Sequence, residues 1–243
     1  MRRFGLIGRT LKHSFSKGYF TDKFYQEKRS DHVYELFELN TIAAFPFLLQ
    51  QHTDLAGLNV TIPYKKEVLA YLDALHADAE AIGAANTIQF RNGQLIGHNT
   101  DWIGFRDSVL PLLPVTLPKA LVLGNGGAAA AIKYALKQMG IAYQTVSRQG
   151  TDETLSYDDL DAGLIEEHNL IINTTPLGTW PDIDSFPPIP YEALSPEHLL
   201  FDLVYNPALT VFLRKGQERG ARISNGYEML VRQAEASWKI WNE

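Results

Sequence analysis

Apolar residues in this chain fall into short runs whose spacing switches between the two-residue period of a strand and the 3.6-residue period of a helix. Residues 4–7 predict a short strand, and residues 17–28 predict a helix with Phe20, Phe24 and Tyr25 on one side. Residues 33–38 alternate apolar and charged positions and read as a strand, while residues 41–51 carry a helical apolar stripe. Residues 58–62 form the next strand, stopped by Pro63, and residues 66–75 read as a further helix. Residues 84–90 and 94–98 flank Asn92-Gly93, a strong turn signal, and predict a hairpin.

Pro111, Pro114 and Pro118 then break the pattern and mark the approach to a second unit. Beyond them, residues 120–123, 142–146, 170–173, 199–204 and 222–224 read as strands. A helix runs from the glycine-rich turn after residue 123 through Met139, and others cover residues 212–219 and 227–241. Residues 181–196 read as a proline-rich loop. Strands alternating with helices predict parallel βαβ units, so the expected fold class is α/β in two domains.

Composition narrows the function classes. The chain has 243 residues, is 45% hydrophobic and carries a formal net charge of −6, enough for one large or two modest cores. Lys and Arg are scattered apart from short pairs such as Lys65-Lys66, which argues against a nucleic-acid footprint. There is no cysteine, which excludes disulfides, thiolate nucleophiles and cysteine-ligated metals. No apolar run is long enough for a membrane span, and the first sixteen residues lack the apolar core of a secretory signal. A cytoplasmic protein, monomer or homodimer, is expected. The seven histidines form no H-x-H or H-x-x-x-H pair, so no metal site is expected; His13 and His98 lie near motifs but read as supporting or surface residues.

The sequence Leu121-Val-Leu-Gly-Asn-Gly-Gly-Ala-Ala129 sets Gly124, Gly126 and Gly127 between a buried strand and a helix. Glycines there permit the tight turn and let backbone N–H groups approach a pyrophosphate. Ala129 stands at the third position of G-x-G-x-x-G, where a small residue is permitted. A dinucleotide is the expected ligand. The second strand of this unit ends Thr145-Val-Ser-Arg148, with no acid until Asp152. An acid at the strand end would bind the 2′-hydroxyl of NAD; Arg148 suits the 2′-phosphate of NADP, or else is a solvated surface arginine.

Several motifs in order resemble the shikimate dehydrogenase family across nearly the whole chain. They are Ser14-Phe-Ser16, Asn59-Val-Thr-Ile-Pro-Tyr-Lys65, Gly83-Ala-Ala-Asn-Thr87, Asn99-Thr-Asp101, Asn173-Thr-Thr-Pro-Leu-Gly178, Asp202-Leu-Val-Tyr-Asn-Pro207 with Thr210, and Gly226-Tyr-Glu-Met-Leu-Val-Arg-Gln-Ala234. The resemblance implies a substrate domain (residues 1–101 with 227–243) and a Rossmann-type domain (residues 102–226). It implies hydride exchange between NADP(H) and shikimate or 3-dehydroshikimate, with NAD the less favoured cofactor; the alternatives are a quinate/shikimate dehydrogenase using NAD and a non-catalytic sensor that binds shikimate or NADP.

By the same resemblance, Lys65 and Asp101 are the acid–base pair, while Lys66 reads as solvated. Ser14, Ser16, Thr61, Asn86, Tyr205 and Gln233 are expected at the substrate, although spacing alone would make Ser14 and Ser16 helix caps. Gly124, Asn125, Gly126, Gly127, Ala128, Ser147, Arg148, Thr174, Thr175, Val204, Gly226 and Met229 are expected at the cofactor, with plain core packing the alternative for Met229. The sequence departs from the family pattern at Lys17, where proline is usual, and at Trp102, where glycine is usual. It also departs after Arg148, where no second basic residue follows.

Overall fold

The computed structural model describes residues 1–12 and 14–243. It divides into two compact units: Met1–Thr100 with Ala234–Glu243, and Asp101–Gln233.

In the first unit, β1 (Arg2–Gly8), β2 (His32–Glu38), β3 (Leu55–Val60), β4 (Ala74–Leu75), β5 (Thr87–Arg91) and β6 (Gln94–His98) form one sheet in the order β2-β1-β3-β5-β6-β4. β1 pairs in parallel with β2 and β3, whereas β5 runs antiparallel to β3 and β6. Alternation along β1 sends Phe4 and Leu6 to one face and Ile7 to the other. Phe4 and Leu6 pack with Phe20 and Phe24 of α1 (Phe15–Gln26) and with Trp238 and Trp241. Ile7 joins Leu58, Val60 and Ile88, together with Phe45 and Leu48 of α2 (Phe45–Gln51). Both faces are therefore covered. The turn at Asn92-Gly93 has positive φ at both residues, 52° and 77°, as a two-residue hairpin demands.

Two local expectations fail here. Tyr25 is exposed, because the α1 stripe narrows to Phe20 and Phe24. Residues 66–75 do not form one helix: a 3₁₀ turn covers Glu67–Tyr71, and the chain then extends into β4 beside β6. The backbone of Asp73 donates to the Leu95 carbonyl, and its carboxylate accepts from the Leu95 N–H. Pairing along the edge of β6 outcompetes the helical pattern. The short helix α3 (Ala77–Ile82) follows, unanticipated by the periodicity.

The second unit begins with α4 (Asp101–Val109) and holds a sheet of β7 (Ala120–Leu123), β8 (Tyr143–Ser147), β9 (Leu155–Ser156), β10 (Leu170–Asn173), β11 (Leu199–Asp202) and β12 (Arg222–Ser224). All pairings are parallel, in the order β12-β11-β10-β7-β8-β9. Counted from the first strand of the unit, this is the doubly wound 3-2-1-4-5-6 order. Val122, Ile172 and Phe201 pack with α5 (Gly127–Gln138) and with Phe105 of α4. Leu121, Leu123, Ile171 and Leu200 face α6 (Ala162–Glu167) and α7 (Val211–Glu218). The last helix, α8 (Tyr227–Ile240), contributes residues to each unit. Among the described residues, no helix is long and apolar enough to cross a membrane.

Candidate active site

In a doubly wound sheet the ligand crevice opens beyond the carboxyl ends of the strands where the order reverses, here between β7 and β10. β7 is followed by Gly124, whose φ of 109° is a conformation that L residues rarely adopt. A Cβ at Gly124 would also stand 2.7 Å from Thr174 Oγ1. At Gly126 and Gly127 a Cβ would meet nothing within 4 Å, so the approach to the N-terminus of α5 is open. Beyond these strand ends lies a cavity of about 540 Å³.

The cavity gathers Gly124, Asn125, Gly126, Ser147, Arg148, Thr174 and Thr175 from the expected cofactor set. It also includes Pro176 and Leu177 of the Asn173–Gly178 motif, and Tyr157, which lies in none of the motifs. Tyr157 stands out among them: its ring packs on the apolar cluster below the sheet, and its hydroxyl is buried with no hydrogen-bond partner. Burial also raises the pKa of its phenol, so the hydroxyl keeps its proton and remains a donor. No local sequence signal marks this residue; only the pairing of β9 with β8 brings it to the cavity.

Three other members of the expected set are placed by packing. Met229 is buried in the core with Phe105 and Val122. Gly226 is required by the backbone, since a Cβ there would overlap the Leu203 carbonyl oxygen. Val204 is buried, and its N–H donates to Asp202 Oδ1 at 3.0 Å. Gly127 and Ala128 open α5, next to the cavity residues in sequence.

The Asn173 loop is held from beneath. Thr175 Oγ1 donates to Asn173 Oδ1 at 2.6 Å, and Asn173 Nδ2 donates to Asp202 Oδ1 at 2.9 Å. Thr210 Oγ1 donates to Asp202 Oδ2 at 2.6 Å. Asp202 is fully buried, and loss of hydration raises its pKa to about 6 despite donation from Thr210, the Val204 N–H and Asn173. This is the physical reason for the Asp202 and Thr210 spacing: the pair braces the loop that borders the cavity. Trp102, at the position where the resemblance implies glycine, sets its ring 4.8 Å from the Arg106 guanidinium and 5.3 Å from the Tyr134 ring.

In the first unit, strand directions bring the expected substrate residues to one sheet edge. β1 and β3 end there, β5 starts there, and β6 returns to it. Ser14 and Ser16 follow β1, Thr61 and Lys65 follow β3, Asn86 precedes β5, and Asn99-Thr100 follow β6. Ser14 sits at the N-cap position of α1 but makes no side-chain cap hydrogen bond, and its buried Oγ has no partner. Capping by Ser14, the simpler expectation, is therefore not what its hydroxyl does. His13 lies outside the described residues. Lys65 is partly buried, and its carbonyl accepts from the Ala85 N–H at 2.8 Å; Lys66 is exposed. Tyr64 anchors the turn from inside, donating to the Leu39 carbonyl at 2.5 Å.

Asn86 is fixed by Thr100, whose N–H donates to Asn86 Oδ1 at 2.7 Å. Asn59 Nδ2 donates to the Asn86 carbonyl at 3.2 Å and to Ser237 Oγ at 3.0 Å. Ser237, from the end of α8, also exchanges hydrogen bonds with Thr87 at 2.8 Å and Thr100 at 3.1 Å. One buried hydroxyl thus links three of the motif segments, and nothing in its local sequence marks it. The remaining expected residues lie in the second unit: Asp101 opens α4, Tyr205 follows β11 with its phenol pKa raised by burial, and Gln233 donates to the Leu230 carbonyl at 2.9 Å.

Residues 6–88 match the family model of the shikimate dehydrogenase substrate binding domain. The shikimate dehydrogenase (NADP(+)) of Caldicellulosiruptor bescii is 35% identical over 259 residues, covering 99% of this chain and 89% of the relative. The crystal structure of the shikimate 5-dehydrogenase of Thermus thermophilus, in complex with NADP(H) and shikimate, superposes with a TM-score of 0.87 at 30% identity, covering 99% of this chain and 93% of that one. The enzyme of Listeria monocytogenes, solved with shikimate and NAD, gives a TM-score of 0.91 at 26% identity, covering 100% and 92%. With its sheet order, its glycine turn and near-full-length identity to such relatives, the chain belongs to the shikimate dehydrogenase family.

Proposed function

We propose that this protein is an NADP-dependent shikimate dehydrogenase, which reversibly reduces 3-dehydroshikimate to shikimate in aromatic amino-acid biosynthesis. The observation that carries the reading is the 35% identity, over 99% of the chain, to a protein of that name. The residues around the β7 turn fit a dinucleotide. They offer a cradle that a Cβ at Gly124 would fill, an open approach at Gly126 and Gly127, and a cavity lined by both Arg148 and Tyr157, whose hydroxyl is unpartnered. Bound there, NADPH would supply the hydride for reduction and NADP would accept it in the reverse reaction.

The work left to this chain is to bind and orient the substrate and to move one proton. Reduction turns the C3 carbonyl oxygen into a hydroxyl, so a proton must reach that oxygen, and oxidation removes it again. Lys65 is assigned this proton, and Asp101 orients and polarises the transfer. Ser14 and Ser16 take the substrate carboxylate, and the unpartnered Ser14 Oγ supports that role. Thr61, Asn86 and Gln233 take ring hydroxyls, and Tyr205 reaches the carboxylate. Asn86, held by Thr100, is pre-oriented before substrate arrives.

The test is the near-ultraviolet absorbance of reduced nicotinamide after mixing the protein with shikimate and NADP. A steady rise supports the reading; no rise with folded protein overturns it. A second reading, appreciable use of NAD, rests on the segment after Arg148, where Asp152 and Glu153 stand and no second cation follows. Parallel assays with NAD and NADP, and with quinate in place of shikimate, separate the two.

A further inference from the structure

We propose that His76, Asp78 and His98 form a binding site for one divalent transition-metal ion of the zinc class, distinct from the residues assigned to substrate and cofactor. The three come together only through the fold. His76 is the N-cap residue of α3, Asp78 lies in its first turn, and His98 ends β6. The His76 N–H donates to the Gly97 carbonyl at 2.8 Å, which ties the two segments together. One donor atom from each residue lies within 4.8 Å of the others. His76 Nδ1 is 3.0 Å from Asp78 Oδ1, and the two imidazole rings stack with centroids 5.0 Å apart.

A second observation points to a ligand. His98 is 9% exposed, and its Nε2 is sealed from solvent with no hydrogen-bond partner. Buried polar atoms are nearly always paired, so an orphan nitrogen on a ring of this cluster calls for an occupant. Turning the ring over exchanges its two nitrogens, so either can serve. The Asp78 carboxylate already accepts from the Ala79 and Asn99 N–H groups. A carboxylate offers about four lone-pair directions, so a metal bond is compatible with those contacts.

The donor set selects the ion. Two imidazoles and one carboxylate suit Zn²⁺, which takes three protein ligands and a water in a tetrahedron, whereas Mg²⁺ and Ca²⁺ prefer oxygen alone. Ligand atoms around zinc stand about 3.4 Å apart, so a small closure of the cluster completes the site. The His76 side chain, 57% exposed, can make that movement and leaves an entry path. An ion here would also brace Asp78 against Asn99, just ahead of Thr100 and Asp101.

The experiment is equilibrium dialysis of the chelator-treated full chain against ZnCl₂, with Co²⁺ absorption reporting the ligand geometry. One ion per chain and a zinc-dependent rise in melting temperature are expected. His76→Ser keeps a favoured N-cap residue and removes one ligand. It should weaken zinc binding by about tenfold or more, as even supporting residues of metal sites cost that much, and leave metal-free shikimate oxidation unchanged. No uptake by the wild-type chain, or equal uptake by His76→Ser, overturns the proposal.

Discussion

Ser237→Ala tests whether one buried hydroxyl holds the substrate-side motifs in register. Ser237 is fully buried and lies 2.8 Å from Thr87 Oγ1, 3.0 Å from Asn59 Nδ2 and 3.1 Å from Thr100 Oγ1. A net hydrogen bond is worth about 1 kcal/mol, and a buried donor left unsatisfied costs about 1–3 kcal/mol. Asn59 Nδ2 keeps the Asn86 carbonyl and Thr87 Oγ1 within 3.2 Å, and both threonine hydroxyls keep Asn86 Oδ1 in reach. The loss therefore falls in the lower part of the range, about 1–2 kcal/mol, or a melting-temperature drop of about 2–8 °C for a chain of this size. Because Thr100 fixes Asn86, kcat/KM for shikimate should fall about tenfold, equivalent to about 1.4 kcal/mol. The KM for NADP should not change, since the cofactor residues belong to the other unit. Urea denaturation and steady-state kinetics measure both effects. A stability change below about 0.5 kcal/mol, the range of an ordinary surface substitution, would refute the network argument.

Four further outcomes are expected. Lys65→Ala should lower kcat by about 10²–10⁴-fold with an unchanged fold by circular dichroism, and retention of most turnover would remove Lys65 from the proton transfer. Tyr157→Phe should raise the KM for NADP about two- to tenfold, the worth of one hydrogen bond, while leaving the ligand-free protein at least as stable; an unchanged KM would mean that the hydroxyl does not meet the cofactor. Gly124→Ala should destabilise by about 2–4 kcal/mol, from its positive φ and the Thr174 overlap, and abolish NADP-induced thermal stabilisation; normal NADP binding would show that the turn can relax. Asp202, raised from 3.8 to about 6, stabilises the fold fully below its unfolded pKa and loses that contribution as pH rises through 6. The stability of the wild type relative to Asp202→Asn should therefore fall by up to about 3 kcal/mol between pH 4 and 7, and a flat difference would contradict the assigned cause.

Local chemistry made much of this protein legible. The Asn92-Gly93 hairpin and the Gly124 turn depend on backbone conformations that few residues accept, so residue type alone announces them. The parallel strands of the second unit are buried on both faces and read as apolar runs. The acid–base pair and most of the substrate set follow from resemblance to a family; periodicity and spacing alone mark Lys65 only as a lysine after a strand.

The alternation of elements, the glycine turn, the hairpin and, through its motifs, the family are written in the order of residues along the chain. Features that depend on contacts between distant segments emerge on folding. Pairing with β6 extended residues that read as helix, because sheet hydrogen bonds outweigh a small difference in propensity. Packing put Met229 in the core and Gly226 against Leu203. The fold alone brought Tyr157 to the cavity, gathered Asn59, Thr87 and Thr100 around Ser237, and set His98 beside His76 and Asp78. The physical reason is common to these cases. A buried polar atom must find its partner in space, and sequence spacing records that partner only when both lie on the same element.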